Sequence, residues 1–382
     1  MLILVINCGS SSAKYDLFNV EEESSLCRGI VERIGETSPE LTHEVTGKDK
    51  VREKVDCPDH HRAIEIIRDV LTDAKKGVLS SVDEVTGVGH RVVHGGEEFN
   101  KSTLIDDRVL KSVEKFSELA PLHNPPSLEG IRGCLKIFRG VPQVAVFDTA
   151  FHQSMVEHAF CYGVPYELYE KYGIRKYGFH GTSHRYVSGK AAELLGRPIE
   201  DLNMITVHLG NGCSIAAVSG GKSVDTSMGF TPLEGLLMGT RSGDLDPAVV
   251  TFLMNKEGLS AEEVNDLLNK KSGLLGVSGV SNDMRDILKA MSEENKRAKL
   301  AYDIFVYRIK KYIGSYAAVL GKVDAVVFTA GIGEHVPQIK DSIREHLRPL
   351  LGIGTEFLTI STNEELLIAK DTYKIVTETV NK

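Results

Sequence analysis

Leu2-Ile3-Leu4-Val5-Ile6-Asn7-Cys8-Gly9-Ser10-Ser11-Ser12-Ala13-Lys14 opens the chain. Its first five residues are a solid apolar run without period-two alternation, the pattern of a strand buried on both faces. The run gives way to small polar residues with one glycine and one lysine. That reads as a phosphate-type loop, offering hydroxyls, an amide and backbone N–H groups to an anion, with Lys14 as a point charge. An ordinary strand–turn–strand, its serines satisfying the turn, fits the same residues.

The pattern returns two hundred residues on. Met204-Ile205-Thr206-Val207-His208-Leu209 is a second apolar strand, ending in Gly210-Asn211-Gly212-Cys213-Ser214 and continuing as Ile215-Ala216-Ala217-Val218. Gly220-Gly221-Lys222-Ser223 then signals a hairpin. Two such units predict a duplicated domain. A third strand, Ala325 to Ala330, feeds Gly331-Ile332-Gly333-Glu334-His335, expected as another glycine loop. Familiar nucleotide motifs are excluded by counting. The first glycine of a Walker A loop ending at Gly221-Lys222-Ser223 falls on Ala216, and the third glycine of a dinucleotide fingerprint falls on Ile215 or Val336. His90-Arg91 and His184-Arg185 lack the aspartate of a protein-kinase catalytic loop.

With 382 residues, 42% of them hydrophobic, the chain is long enough for two cores. A net charge of −8 argues against nucleic acid as a partner. No apolar run reaches membrane-spanning length and no signal peptide is read at the N-terminus, so neither a membrane nor export is expected. Six scattered cysteines without Cys-x-x-Cys spacing point away from zinc and disulfides and toward the cytoplasm. Strand-like and helix-like segments alternate: helical spacing over 63–74, 109–119, 184–195, 261–269 and 298–319, strands over 85–94 and 144–147. This predicts an α/β fold with central sheets. Ligands in such folds sit at the carboxyl ends of strands. Arg91, His94 and Asp148 fall there, as do His180 ahead of a helix and Arg241 in a glycine-spaced loop. His180 and His184 are four apart, but the intervening Gly181 and the missing glutamate argue against a zinc pair. Arginine and histidine concentrated at strand ends of an acidic protein suit an anion whose transition state spreads negative charge.

At this point the sequence resembles the acetate kinases from end to end. The resemblance is carried by Asn7 to Lys14, Gly89-His90-Arg91-Val92-Val93-His94-Gly95-Gly96, Ala120-Pro121-Leu122-His123-Asn124-Pro125, Val146 to His152, Tyr177 to His184, Asp225 to Gly235, and Gly239-Thr240-Arg241-Ser242-Gly243. It implies an α/β fold of two domains sharing a duplicated actin/ribonuclease H-like core, with the active site in the interdomain cleft. The expected domains are 1–150, completed by a C-terminal helix over about 366–382, and 151–365. It implies a reversible, magnesium-dependent transfer from ATP to acetate, giving acetyl phosphate and ADP, with manganese as an alternative metal, in a cytoplasmic homodimer. Carried over by position, Arg91 and Arg241 hold the carboxylate and the transferring phosphoryl group, His180 donates to its oxygens and Asp148 orients the site or the metal. Val93, Leu122, Phe179 and Pro232 form the methyl pocket. Lys14, with His208, Leu209, Gly210, Asn211 and Gly212, contacts phosphates. Asp283, Met284 and Arg285, with Gly331, Ile332, Gly333, Glu334 and His335, line the adenosine pocket. Asn7 and Glu364 are the metal ligands, with Glu365 in reserve.

Two departures from the family pattern stand out. His335-Val336 replaces the usual asparagine after Gly333-Glu334, and the segment between Gly354 and Thr362-Asn363-Glu364-Glu365 is short. The shortening is expected to trim a surface hairpin. Two alternative functions are propionate kinase, with the same chemistry and a roomier pocket, and a non-catalytic, actin-like nucleotide switch.

Overall fold

The computed structural model describes residues 1–121 and 123–380. Leu122, expected in the methyl pocket, lies outside the described residues. β1 (Leu2–Gly9), β2 (Ser12–Asn19), β3 (Ser24–Glu32), β4 (Glu40–Val45), β5 (Val51–Lys54), β6 (Val85–Val92), β7 (Thr103–Leu104) and β8 (Gln143–Phe147) form one sheet, ordered 5-4-3-2-1-6-8-7. β9 (Asn203–Leu209), β10 (Cys213–Ser219), β11 (Lys222–Thr226), β12 (Ala325–Thr329) and β13 (Glu356–Thr359) form a second, ordered 11-10-9-12-13. The run β3-β2-β1-β6-β8 repeats in β11-β10-β9-β12-β13 with every strand sense preserved. The first two joins are antiparallel and the last two parallel in both. The duplication read from the glycine units is therefore real at the level of topology.

One alternative is decided and one expectation corrected. Of the two readings of Asn7 to Lys14, the strand–turn–strand holds: the stretch is the end of a tight hairpin. Asn7 pairs with Lys14, Cys8 with Ala13 and Gly9 with Ser12, leaving only Ser10 and Ser11 to turn. Ala13, Tyr15 and Leu17 of β2 are buried on the face that also buries Leu4, Ile6 and Cys8 of β1. That shared face pulls the small polar residues into the ladder, where sheet pairing overrides loop propensity. The third glycine unit is not a third copy. β12 is the counterpart of β6, and Gly331 to His335 lies in a short helix, Ala330–His335, rather than a loop. Gly333 sits against the backbone of Phe328, and the His335 ring bonds the Gly331 carbonyl at 2.9 Å, so the turn closes on itself.

The chain divides into two compact units, 1–150 with 363–382, and 151–362. In the first, helices His60–Leu71 and Asn124–Ile137 cover one face of the sheet. Ile64, Ile67, Leu71 and Cys134 bury Leu4, Ile6, Tyr15 and Leu17 there. The final helix, Glu364–Val380, covers the other face. It approaches closely because β6 carries glycines beneath it. A Cβ on Gly89 would collide with Thr372 Oγ1 and stand 2.7 Å from Ile368 Cγ2, and one on Gly87 would stand 3.2 Å from Val376 Cγ2. Gly89→Ala is therefore expected to lift this helix and to cost about 1–3 kcal/mol by overpacking, measured as a lower denaturant midpoint. An unchanged midpoint would show that the helix is not seated as described. In the second unit, helix Gly181–Leu195 packs Val187 and Ala191 against Met204, Ala216, Val218 and Val327. The long helix Lys296–Leu320 also packs against β9 and β10.

Candidate active site

In the first unit, alternation sets Ile3, Val5 and Asn7 of β1 and Gly87, Gly89 and Arg91 of β6 on the face under the final helix. Ile3 pairs with Gly87, Val5 with Gly89, and Arg91 with Val146 of β8. Two residues past Val146, Asp148 donates its amide to the Val92 carbonyl at 3.0 Å and faces the same way. Arg91 grips it with two prongs, Nε at 3.1 and 3.2 Å from the two carboxylate oxygens and Nη2 at 2.7 Å. Glu364, first residue of the final helix, brings Oε2 to 3.8 Å from Arg91 Nη2. The Asp148 side chain is 2% exposed and that of Arg91 24%, so the guanidinium keeps a face to solvent while its partner is sealed. Burial works against the Arg91 charge, but Asp148 and then Glu364 hold its pKa above the ordinary range. Burial pushes Asp148 up and Arg91 pulls it back down; Glu364 raises it further and His123 lowers it.

Despite the shortened segment, Glu364 lies beside Arg91. Its neighbour Glu365 acts on the charge of Arg91 and on Asp16, which burial and Glu365 push up to about 7 against the Ser25 hydrogen bond and Arg28. Lys14 stands opposite Asn7 in the hairpin and is exposed. Val93 lies one residue beyond β6, not within it as expected, because the chain turns there toward Gly95 and Gly96.

In the second unit, His180 immediately precedes helix Gly181–Leu195 in the left-handed conformation, φ +57°. This is an uncommon posture for a residue with a Cβ, and such strain gathers at working sites. Gly178 (φ +76°) makes it possible. A Cβ there would collide with Thr226 and stand 2.8 Å from the His152 ring, while His152 Nε2 donates to the Phe179 carbonyl at 3.0 Å. Phe179 itself is buried. The His180 ring stacks on His208, at the end of β9, with centroids 4.2 Å apart. The hairpin Gly210-Asn211-Gly212 is the meeting point. A Cβ on Gly212 would stand 3.3 Å from Arg241 Nη1 and 3.5 Å from His180 Nε2. Arg241 Nη1 donates to the Pro232 carbonyl at 3.3 Å, and burial lowers its pKa below the ordinary range.

The same hairpin ties in the other predicted positions. The Gly239 amide donates to the Asn211 carbonyl at 3.0 Å, and Asn282 Nδ2 donates to Asn211 Oδ1 at 3.0 Å. Next to Asn282, Asp283 caps helix Met284–Ser292, accepting the Arg285 amide at 2.8 Å and its Nε at 3.0 Å. Met284 is buried and Arg285 exposed. Gly331 to His335 begin at the end of β12, where Thr329 pairs with His208, and Glu334 accepts from Ser361 Oγ at 2.7 Å. Sequence reasoning missed the polar layer behind His180, namely Thr206, Ser214, His184 and Ser183. Its signal was present: Thr206, His208 and Ser214 are polar residues within otherwise apolar, buried strands.

Two sheets of one strand order, each flanked by helices, define a two-domain α/β protein of the actin and ribonuclease H type. The chain belongs to the acetokinase family, which it matches over residues 2–380. It is 55% identical to the acetate kinase of Halothermothrix orenii over 397 aligned positions, covering 98% of this chain and all of that one. An alignment longer than 382 residues means that this chain lacks residues present in its relative. Among solved structures it superposes on Porphyromonas gingivalis acetate kinase with a TM-score of 0.95 at 46% identity, covering 98% and 99% of the two chains. It superposes on a propionate kinase from Francisella tularensis with a TM-score of 0.91 at 43% identity and the same coverage.

Proposed function

We propose that the chain is an acetate kinase, moving the γ-phosphoryl group of ATP reversibly to acetate. The end-to-end likeness to proteins of that name carries the reading. An acetate oxygen attacks the γ-phosphorus, the bond to the bridging oxygen breaks, and ADP leaves with the electron pair. With carboxyl pKa values near about 4, acetate is already the nucleophile at pH 7, so no strong general base is needed. What the protein must supply is alignment and charge neutralisation. Arg91, held charged and in one orientation by Asp148, takes the carboxylate. Arg241 and His180, converging on Gly212, take the transferring phosphoryl group. Val93, Leu122, Phe179 and Pro232 receive the methyl group. Lys14 and residues 208–212 take nucleotide phosphates; Asp283 to Arg285 and Gly331 to His335 take adenosine. Propionate kinase is the second reading, favoured by a propionate kinase among the similar structures.

The donors near Arg91 fit a magnesium ion. Asn7, Asp148 and Glu364 are hard oxygen donors, and magnesium bound with phosphates asks for only one or two carboxylates. Among the described residues no group of three or more His, Cys, Asp or Glu side chains is placed to hold a metal ion. When bound, it would neutralise phosphate charge; Asn7 and Glu364 would hold it, oriented by Asp148. Six free cysteines suit the cytoplasm. The exposed apolar helix Pro247–Glu257, with Phe252 at its surface, suits contact with a second copy in a homodimer. No helix among the described residues is long and apolar enough to cross a membrane.

A hydroxamate assay with acetate, propionate and butyrate tests the function. Acetate should give the highest kcat/KM, and Val93→Ala should narrow its lead over propionate, since a methylene in an apolar pocket is worth about 1–3 kcal/mol. An unchanged ratio removes Val93 from the pocket, a propionate preference in the wild type installs the second reading, and no acyl phosphate at all leaves the nucleotide switch. For the metal, Glu364→Ala should raise the magnesium concentration for half-maximal activity more than it raises the KM for acetate, with Glu365→Ala nearly silent. The reverse ranking would move the ligand one residue on.

A further inference from the structure

Behind His180 lies a chain of three polar groups that the reaction as described does not use. His180 Nδ1 and Ser214 Oγ are 2.8 Å apart, Ser214 Oγ and His184 Nε2 2.8 Å, and His184 Nδ1 and Thr206 Oγ1 2.7 Å. Ser214, His184 and Thr206 are all fully buried. Each link can carry a proton either way, so the direction must come from the ends. The far end decides it. The Thr206 hydroxyl has His184 Nδ1 as its partner, and a proton on that nitrogen would leave the hydroxyl hydrogen buried without an acceptor, an unmet desolvation cost.

Thr206 therefore donates to His184 Nδ1. Burial, with His152 and His208 nearby, keeps the His184 pKa well below its ordinary value, so the ring has one proton, and it sits on Nε2. That N–H donates to Ser214, whose own hydroxyl hydrogen is then free to point at His180 Nδ1. We infer that Thr206, His184 and Ser214 form a directional hydrogen-bond relay that fixes neutral His180 as the Nε2–H tautomer. Nε2 is the edge that converges with Arg241 on Gly212. Ionisable groups near the two rings include His152 and His208 beside His184, at centroid distances of 5.7 and 6.3 Å, and His208 and Arg241 beside His180.

The inference rests on the proposed role of His180 toward the phosphoryl group. In the opposite tautomer a neutral ring would turn a lone pair toward that anion and repel it. Ser214, His184 and Thr206 are thus positioning residues, acting through His180.

Long-range proton–nitrogen NMR on protein labelled with 15N-histidine reads the tautomer directly, without turnover. Wild-type His180 should show a protonated Nε2 and a bare Nδ1. Ser214→Ala should lose that preference and lower kcat by about 10–100-fold, the usual cost of a lost orienting partner. KM for ATP and acetate should stay nearly constant, and Ser214→Thr should restore most of kcat. Thr206→Val keeps the shape and should move both histidine signals, which carries the test if Ser214→Ala does not fold. The double variant His180→Ala/Ser214→Ala should be no slower than His180→Ala alone. A proton on Nδ1 of wild-type His180, or wild-type kcat and spectrum in Ser214→Ala, overturns the relay. Full turnover in His180→Ala defeats the role assigned to His180, a separate result, since the spectra still report whether the relay exists.

Discussion

Arg91→Leu lowers kcat at saturating substrates by at least about 100-fold, and Arg241→Leu does the same, because each removes a charge-assisted anchor for a developing anion. The two losses should have different causes. Arg91 is locked by a two-pronged bond to a carboxylate with almost no solvent access. Removing it strands Asp148, whose burial already pushes its pKa upward, so the variant also loses stability. Arg241 donates to the Pro232 carbonyl and the Met238 sulfur and carries a burial penalty, and its removal strands no carboxylate, so its loss should spare the melting temperature. Lysine should rescue neither, since it lacks the planar fork. Steady-state kinetics beside a melting curve checks both halves. A folded variant of either arginine with near-normal turnover would remove it from the reaction.

Acid should destabilise the protein steeply between pH 6.5 and 4. Burial holds His90, His94 and His152 down to about 4 from an ordinary value of 6.5, and burial with the nearby His152 and His208 holds His184 well below it. The unfolded chain takes up these protons near pH 6.5 while the native chain refuses them until about 4. Their contribution is therefore complete above pH 6.5 and is lost as pH falls through that window. At pH 5 each of the first three costs about 2 kcal/mol relative to pH 7.5. His90 and His94 lie in one unit and His152 and His184 in the other, so both units weaken together. Two such histidines in a unit amount to a drop of about 10 °C in melting temperature between pH 7.5 and 5. A melting temperature that is flat across that range would mean that these rings are not held neutral. His90 is the most informative single site, since its Nε2 faces the Gln143 side-chain oxygen at 2.8 Å. His90→Gln should flatten part of the slope.

Long apolar runs determined much on their own. Leu2 to Ile6, Met204 to Leu209 and Ala325 to Thr329 can only be buried strands, and their repetition announced the duplicated sheet before any coordinates. Helical spacing over 261–269 and 298–319 held to within two residues at each end, because period and caps are local signals. What local signals left open was the reading of small polar residues. Asn7 to Lys14 fits a loop or a strand–turn–strand and is a ladder, since pairing with a buried partner strand is a non-local gain that propensity does not contain. The reading of Gly331 to His335 failed. Nothing in five residues says that their strand is the counterpart of β6 rather than of β1.

For the site, the sequence by itself determined the residue types: arginine and histidine at strand ends, with carboxylates near them, in a chain whose motifs belong to one family. The tertiary structure alone decided which of them meet. Gly87 and Gly89 are unremarkable in sequence, yet their missing side chains let the final helix settle onto β6 and bring Glu364, more than two hundred and seventy residues away, within 3.8 Å of Arg91. The proton on His180 is decided further off still, by a threonine hydroxyl in the middle of a strand. Composition and periodicity record what each residue offers, whereas hydrogen bonds and close packing depend on distances that only the folded chain sets.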